Sequence, residues 1–170
     1  MVVQPGQAAG EGPLGEIPFG VKDIIETKGT ATEYGPPLYK GRVGNEDAAI
    51  IRELLSRGAV LLGKTVTTAF AYRTPGPTRN PRNLEHTPGG SSSGSAAAVA
   101  AGMVPFTIGE QTHARGHARA LESNLKTYRP RKTIFIRGAR ADSGMRSGNA
   151  QRIPAIHRIA AAVRHHDQIH

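Results

Sequence analysis

Two features have residue types that could do chemistry: the small-residue run Gly89-Gly90-Ser91-Ser92-Ser93-Gly94, and Lys22 at the end of an apolar segment. Glycines let a backbone turn tightly and approach a ligand closely. The run leads directly into Ser95 and an alanine-rich stretch, so it would stand at a helix N-terminus, whose free N–H groups can receive an anion or an oxyanion. A flexible linker is the competing reading, although a linker would be flanked by linker-like sequence rather than by a helix. A solitary lysine is ordinarily a solvated surface charge. At the end of a buried strand, however, desolvation would disfavour the ammonium, lower its pKa and make Lys22 a usable base. Residue types alone leave both pairs of readings open.

Other patterns carry less. Gly58, Gly63, Lys64 and Thr65 satisfy the spacing of a phosphate-binding loop. The residues between the glycines, Ala59-Val60-Leu61-Leu62, are strand-like and apolar, whereas such a loop needs a flexible cradle between a strand and a helix. His86 is a single histidine in a polar loop and reads as a surface residue. The histidines of the C-terminal part, including His165-His166, have no carboxylate or cysteine companions at ligand spacing, so no metal and no other cofactor is expected.

The elements that would position Lys22 and the Gly/Ser run alternate between strand and helix. Ile17–Asp23 reads as a buried strand and Thr27–Gly44 as a loop rich in Gly, Pro and Thr. Asn45 could cap a helix with Glu46 and Asp47 in its first turn, and Ile50, Ile51, Leu54 and Leu55 would share one face. Gly58 would end that helix, and Ala59–Leu62 reads as the next strand. A second loop spans Thr74–Pro88. Ser95 then caps a predicted helix over Ala96–Ala101, and Val104–Ile108 reads as a strand. This order suggests an α/β sheet with functional loops at its strand ends.

The chain has 170 residues, enough for a domain with a real core. It has no cysteine, which fits a reducing compartment, and a cytoplasmic location is expected. No apolar run reaches membrane-spanning length, and Met1–Gly12 lacks the pattern of a secretory signal. The net charge of +9 is unevenly placed. Residues 1–112 hold 10 Lys+Arg and 10 Asp+Glu, for a net of zero, while residues 113–170 hold 12 and 3, for a net of +9. The basic character therefore belongs to the last 58 residues. Ile153–Val163 could form one helix there; elsewhere the arginines are scattered with little apolar periodicity.

Taken in order, several stretches resemble the amidase-signature family. They are Gly12-Pro13-Leu14, Ile17-Pro18-Phe19-Gly20-Val21-Lys22-Asp23, Asn45-Glu46-Asp47-Ala48-Ala49 and Gly63-Lys64-Thr65. The most specific is the Pro88–Gly102 stretch, with its Gly-Gly-Ser-Ser-Ser-Gly-Ser core. The resemblance covers about residues 12–112. It implies a partial amidase-signature fold, a mixed β-sheet flanked by helices and followed by an irregular basic tail. It also implies amide hydrolysis, or transfer of the released ammonia, through a Ser–cis-Ser–Lys triad acting on a small-molecule amide. Lys22 would be the triad lysine, and Ser91 the serine on a cis peptide that relays a proton between lysine and nucleophile.

The resemblance stops at residue 113. The family commonly carries Gly-Thr-Gln-Thr-Gly-Gly-Ser, and this chain has Gly109-Glu110-Gln111-Thr112-His113-Ala114-Arg115. The nucleophilic serine falls on Arg115, and the glycines near the oxyanion site fall on His113 and Ala114. Arginine cannot form the acyl-enzyme. The expectation is a partial domain at 1–112 and a basic tail at 113–170, either out of frame or disordered, in a truncated chain without amidase activity. A reading-frame change explains why motif, periodicity and charge all shift at one boundary; a genuine fusion to a basic tail is the rival. A function of another class, non-specific nucleic-acid binding, would rest on the charge of that tail alone, which has little aromatic interleaving to support specificity.

Overall fold

The computed structural model describes residues 2–3, 12–110, 125–128 and 133–138. The sequence predicts a strand over Ile17–Asp23, and β2 spans Pro18–Lys22. It lies between two parallel neighbours, β3 (Val60–Thr65) and β4 (Phe106–Glu110). Three further strands complete a mixed, six-stranded sheet in the order β1-β3-β2-β4-β6-β5. β1 (Val2–Val3) runs antiparallel to β3. β5 (Leu125–Tyr128) and β6 (Thr133–Gly138) form an antiparallel pair, and β6 joins β4. These two strands arise within residues 113–170, expected to be an irregular tail. The helix predicted at Ile153–Val163 lies outside the described residues.

A helix covers each face of the central strands. α1 (Ala49–Ser56) places Ile51 and Leu54 against Leu14, Ile17, Phe19, Val21, Leu61, Phe106 and Ile108, all buried. Phe19 and Phe106 pair in register, and their rings stack with centroids 5.5 Å apart. Burial of each such ring contributes about 1.5–3 kcal/mol. Strand residues alternate between faces, so Thr107, between Phe106 and Ile108, points to the other side. There α2 (Ser93–Ala100) packs: Thr107 Oγ1 donates to the Ser95 carbonyl at 3.3 Å, and Ala98 and Val99 meet Val104 and Leu62.

One irregularity controls which way the lysines point. β2 and β3 shift register between Phe19 and Gly20, so that Phe19 faces Leu61 but Gly20 faces Gly63. An extra residue in one strand flips every later side chain to the opposite face. Lys22 consequently pairs with Thr65, and Lys64 with Val21. In unbroken register the two lysines would stand side by side. The bulge, with Leu62 as the extra residue on β3, instead turns Lys64 to the α1 face, while Lys22 keeps the α2 face that the alternation of β2 assigns it.

Both helices begin at other residues than the sequence suggests. α1 starts at Ala49 with Ala48 as its N-cap, so Asn45 does not cap it and Glu46 and Asp47 precede its first turn. Asp47 Oδ1 accepts from the Lys28 N–H at 2.7 Å, and the Ala48 N–H donates to the Glu26 carbonyl at 3.0 Å. The preceding loop claims the residues that would have capped the helix. α2 starts at Ser93 rather than Ala96. The Ser95 hydroxyl shares a 2.7 Å hydrogen bond with Thr65 Oγ1, a buried contact to β3 instead of a cap. Among the described residues, no helix is long and apolar enough to cross a membrane.

Candidate active site

Lys22 closes β2 with neighbours on both sides and the Gly/Ser loop above it, and its side chain is fully buried (0% exposed). Its Nζ lies 2.7 Å from Ser91 Oγ, a contact between residues 69 apart in sequence. It also donates to the Glu110 carbonyl at 3.3 Å and stands 3.7 Å from Glu110 Oε1. Burial lowers its pKa from 10.5 to about 8, partly opposed by the negative charge of Glu110 and its hydrogen bond. The surface-charge reading of Lys22 is thereby excluded, and the lysine is desolvated and poised near neutral pH.

The Gly/Ser run is a fixed loop rather than a linker. The Gly90–Ser91 peptide bond is cis. The Ser91 carbonyl accepts from the Thr68 N–H at 3.1 Å and from Thr67 Oγ1 at 3.4 Å. Ser92 Oγ donates to the Glu110 carbonyl at 2.9 Å, and Ser93 Oγ to the Val66 carbonyl at 3.4 Å. The Gly94 N–H reaches the same Val66 carbonyl at 2.9 Å. A Cβ at Gly94 would collide with the Val66 main chain, so a glycine is required where the first turn of α2 crosses the residues after β3. The serines thus tie the loop to the ends of β3 and β4 and aim Ser91 Oγ at Lys22.

Lys64, the lysine of the phosphate-loop spacing, lies inside β3 rather than in a loop. It donates to the Ile25 carbonyl (2.7 Å), Thr27 Oγ1 (3.0 Å) and Thr32 Oγ1 (2.7 Å), and stands 3.5 Å from Asp23 Oδ1. Its pKa is lowered to about 8 by burial, with Asp23 pulling the other way. With these acceptors around it Lys64 anchors the loop after β2 and has no reach toward a phosphate. His86 is exposed, as expected of a surface residue. Among the described residues, no group of His, Asp and Glu is arranged to hold a metal ion.

The structure therefore brings Lys22 and Ser91 together. His113, Ala114 and Arg115 lie outside the described residues. Sequence reasoning missed Glu110, the contact that Ser92 makes with it, and the Thr67-Thr68 backing. Glu110 had a signal, since it stands where the family motif commonly has threonine. The others carry none, because their roles arise from contacts across the sheet. Chemically, a lysine near its pKa hydrogen-bonded to a serine hydroxyl can pass a proton through that hydroxyl to or from a third group.

A sheet with this strand-end lysine and serine defines a class of protein, and comparison with known proteins identifies it. Residues 4–113 match the Amidase family, and the chain belongs to that family. It is 46% identical over 108 residues to a glutamyl-tRNA(Gln) amidotransferase subunit of Methanosarcina mazei, covering 60% of this chain and 23% of that protein. The same subunit of Salinispora arenicola is 44% identical over 118 residues, covering 65% of this chain and 24% of that protein. The chain thus spans about a quarter of the length of the curated relatives it matches. Among solved structures, the corresponding amidotransferase subunit of Thermotoga maritima superposes with a TM-score of 0.66 at 32% identity, over 75% of this chain and 31% of that one. The Stenotrophomonas maltophilia peptide amidase gives 0.63 at 29% identity, over 84% and 36%.

Proposed function

We propose that this chain carries the lysine and the relay serine of a Ser–cis-Ser–Lys amide-hydrolysing site, and that Arg115 at the nucleophile position leaves it without amidase activity. The observation that carries the reading is the 2.7 Å hydrogen bond from Lys22 Nζ to Ser91 Oγ, made beside the cis Gly90–Ser91 peptide. In the complete site a neutral Lys22 takes the proton of Ser91 Oγ while Ser91 takes that of the nucleophilic hydroxyl. The freed alkoxide then bonds to the amide carbon, and the reverse relay protonates the leaving amine. Position 115 of this chain supplies a guanidinium in place of that hydroxyl, so the first bond cannot form. Loss of a nucleophile costs several orders of magnitude in rate.

The substrate class is a carboxamide in a cytoplasmic setting. The likeness to amidotransferase subunits and to a peptide amidase supports the bond type and does not select one amide. The division at residue 112 into an amidase part and a basic part fits the abrupt change of charge there, and a change of reading frame accounts for it. The net +9 of residues 113–170 also supports a second reading, non-specific binding to nucleic acid through that part.

The experiment is covalent labelling with a fluorophosphonate probe. No serine of the native chain is expected to label, and none of several simple carboxamides is expected to be turned over. Labelling that disappears in Ser91→Ala would overturn the proposal. Sequencing the gene across codons 105–170 tests the frame: a neighbouring frame that reads Gly-Gly-Ser after Thr112 supports a frame change, and its absence refutes one.

A further inference from the structure

Glu110 ends β4 and meets Lys22 through both its main chain and its side chain. Its carbonyl accepts from Lys22 Nζ and from Ser92 Oγ, and its carboxylate stands 3.7 Å from the same Nζ. Among the described residues, Lys22 Nζ hydrogen-bonds Ser91 Oγ and the Glu110 carbonyl and stands at ion-pair distance from Glu110 Oε1. An ammonium, with three N–H donors, can donate to all three; a neutral amine can still donate to the Glu110 carbonyl and accept from the Ser91 hydroxyl, but it leaves the nearby carboxylate without a counter-charge.

No other charge competes for Lys22 among the described residues. Its register partner on β3 is Thr65, and the loop above it presents Ser91 and Ser92. Asp23, its neighbour in sequence, turns instead to Lys64 and to the Glu33 N–H, on the face to which the bulge directs Lys64. Glu110 also differs from Lys22 in access. Its side chain is 28% exposed and lines an open cleft with Ile25 and the carboxylate residues Glu26, Glu46 and Asp47, whereas Lys22 is wholly buried.

We propose that Glu110 is the counter-ion of Lys22, a positioning residue that holds the lysine as an ammonium donating to Ser91. While it is held protonated the lysine cannot accept the relayed proton, so Glu110 narrows the pH range of the base role at this site independently of Arg115. The threonine common at this position of the family carries no charge and would leave the lysine free of that pull. The inference deepens the reading of Lys22 and Ser91 as one site, and its test reads the charge of the lysine directly, without requiring turnover.

The test is a pH titration of the Lys22 side chain by NMR, using the Cε resonance of 13C-lysine-labelled full chain, assigned with Lys22→Met. The native midpoint is expected near 8. In Glu110→Gln and Glu110→Thr it is expected to fall by about one pH unit, the order of a single close charge pair. Glu110→Asp, which keeps the charge, is expected to hold the midpoint above those two variants. A midpoint unmoved in both Glu110→Gln and Glu110→Thr overturns the counter-ion role. Ser91→Ala separates the two readings: a Lys22 resonance indifferent to that change removes the Lys22–Ser91 pairing, and with it the proposed site, whatever the Glu110 variants do.

Discussion

Lys22 and Lys64 stand at the ends of adjacent strands on opposite faces, and burial lowers both pKa values from 10.5 to about 8. The consequence for stability has a definite sign. Between about pH 8 and pH 10.5 the unfolded lysines still hold protons that the folded ones have released, so stability rises with pH across that window. Below about pH 8 both states are charged, and the penalty of burying the ammonium is felt in full. Denaturant titrations at pH 8 and pH 10 are expected to show a higher midpoint at the upper pH, with a smaller rise in Lys22→Met. A native midpoint that is flat or falling over that range would contradict the burial of these amines. Of these residues, the sequence marks Lys22 and Ser91 through their motifs. Glu110 is visible only as a departure from a motif, and its pairing with Lys22 is not visible at all, because that contact spans 88 residues.

At the scale of elements, periodicity and punctuation locate each central strand and helix to within a few residues. Errors fall where tertiary contacts take over a local role. Asn45 has the chemistry of a cap, but the loop hydrogen bonds of Asp47 and Ala48 delay the helix to Ala49. Ser95 has the same chemistry, but Thr65 holds its hydroxyl inside the fold. Gly94 shows the reverse case, a residue in a run whose composition leaves linker and functional loop both open and which packing requires. Gly94→Ala places a methyl group against the Val66 main chain, which cannot move aside as a flexible side chain can. The expected loss is about 1–3 kcal/mol of unfolding free energy, the usual cost of overpacking, measured by denaturant titration. Because the same turn carries the Ser91 loop, the Lys22 resonance should shift as well. A variant as stable as the native chain would mean that α2 is not seated on Val66.

The whole molecule is divided by charge more sharply than by structure. Residues 1–112 are neutral and hold α1 and α2 with β1 to β4, whereas residues 113–170 carry the net +9 and contribute β5 and β6 to the same sheet. Affinity arising from such charge is counterion release and falls steeply with salt. Binding of duplex DNA is expected to be independent of sequence, to weaken by at least about tenfold between 50 and 200 mM salt, and to vanish when residues 113–170 are removed. Binding that persists unchanged in high salt would contradict the charge-only account and indicate a specific site.

By itself the sequence determined the family, the α/β order of elements and the split in charge, and it marked Lys22 and Ser91 as candidates. Each of these is written in short motifs, local periodicity or composition, which need no knowledge of what lies across the sheet. Only the tertiary structure decided that Lys22 is buried against Glu110, that Lys64 turns away to Asp23, Thr27 and Thr32, and that the Gly/Ser run is tied by hydrogen bonds to the ends of β3 and β4. The physical reason is register. Leu62 of β3 is an extra residue opposite the Phe19–Gly20 step of β2; it reverses the face of the β3 side chains beyond it, Lys64 among them, and no local propensity in the sequence records that shift.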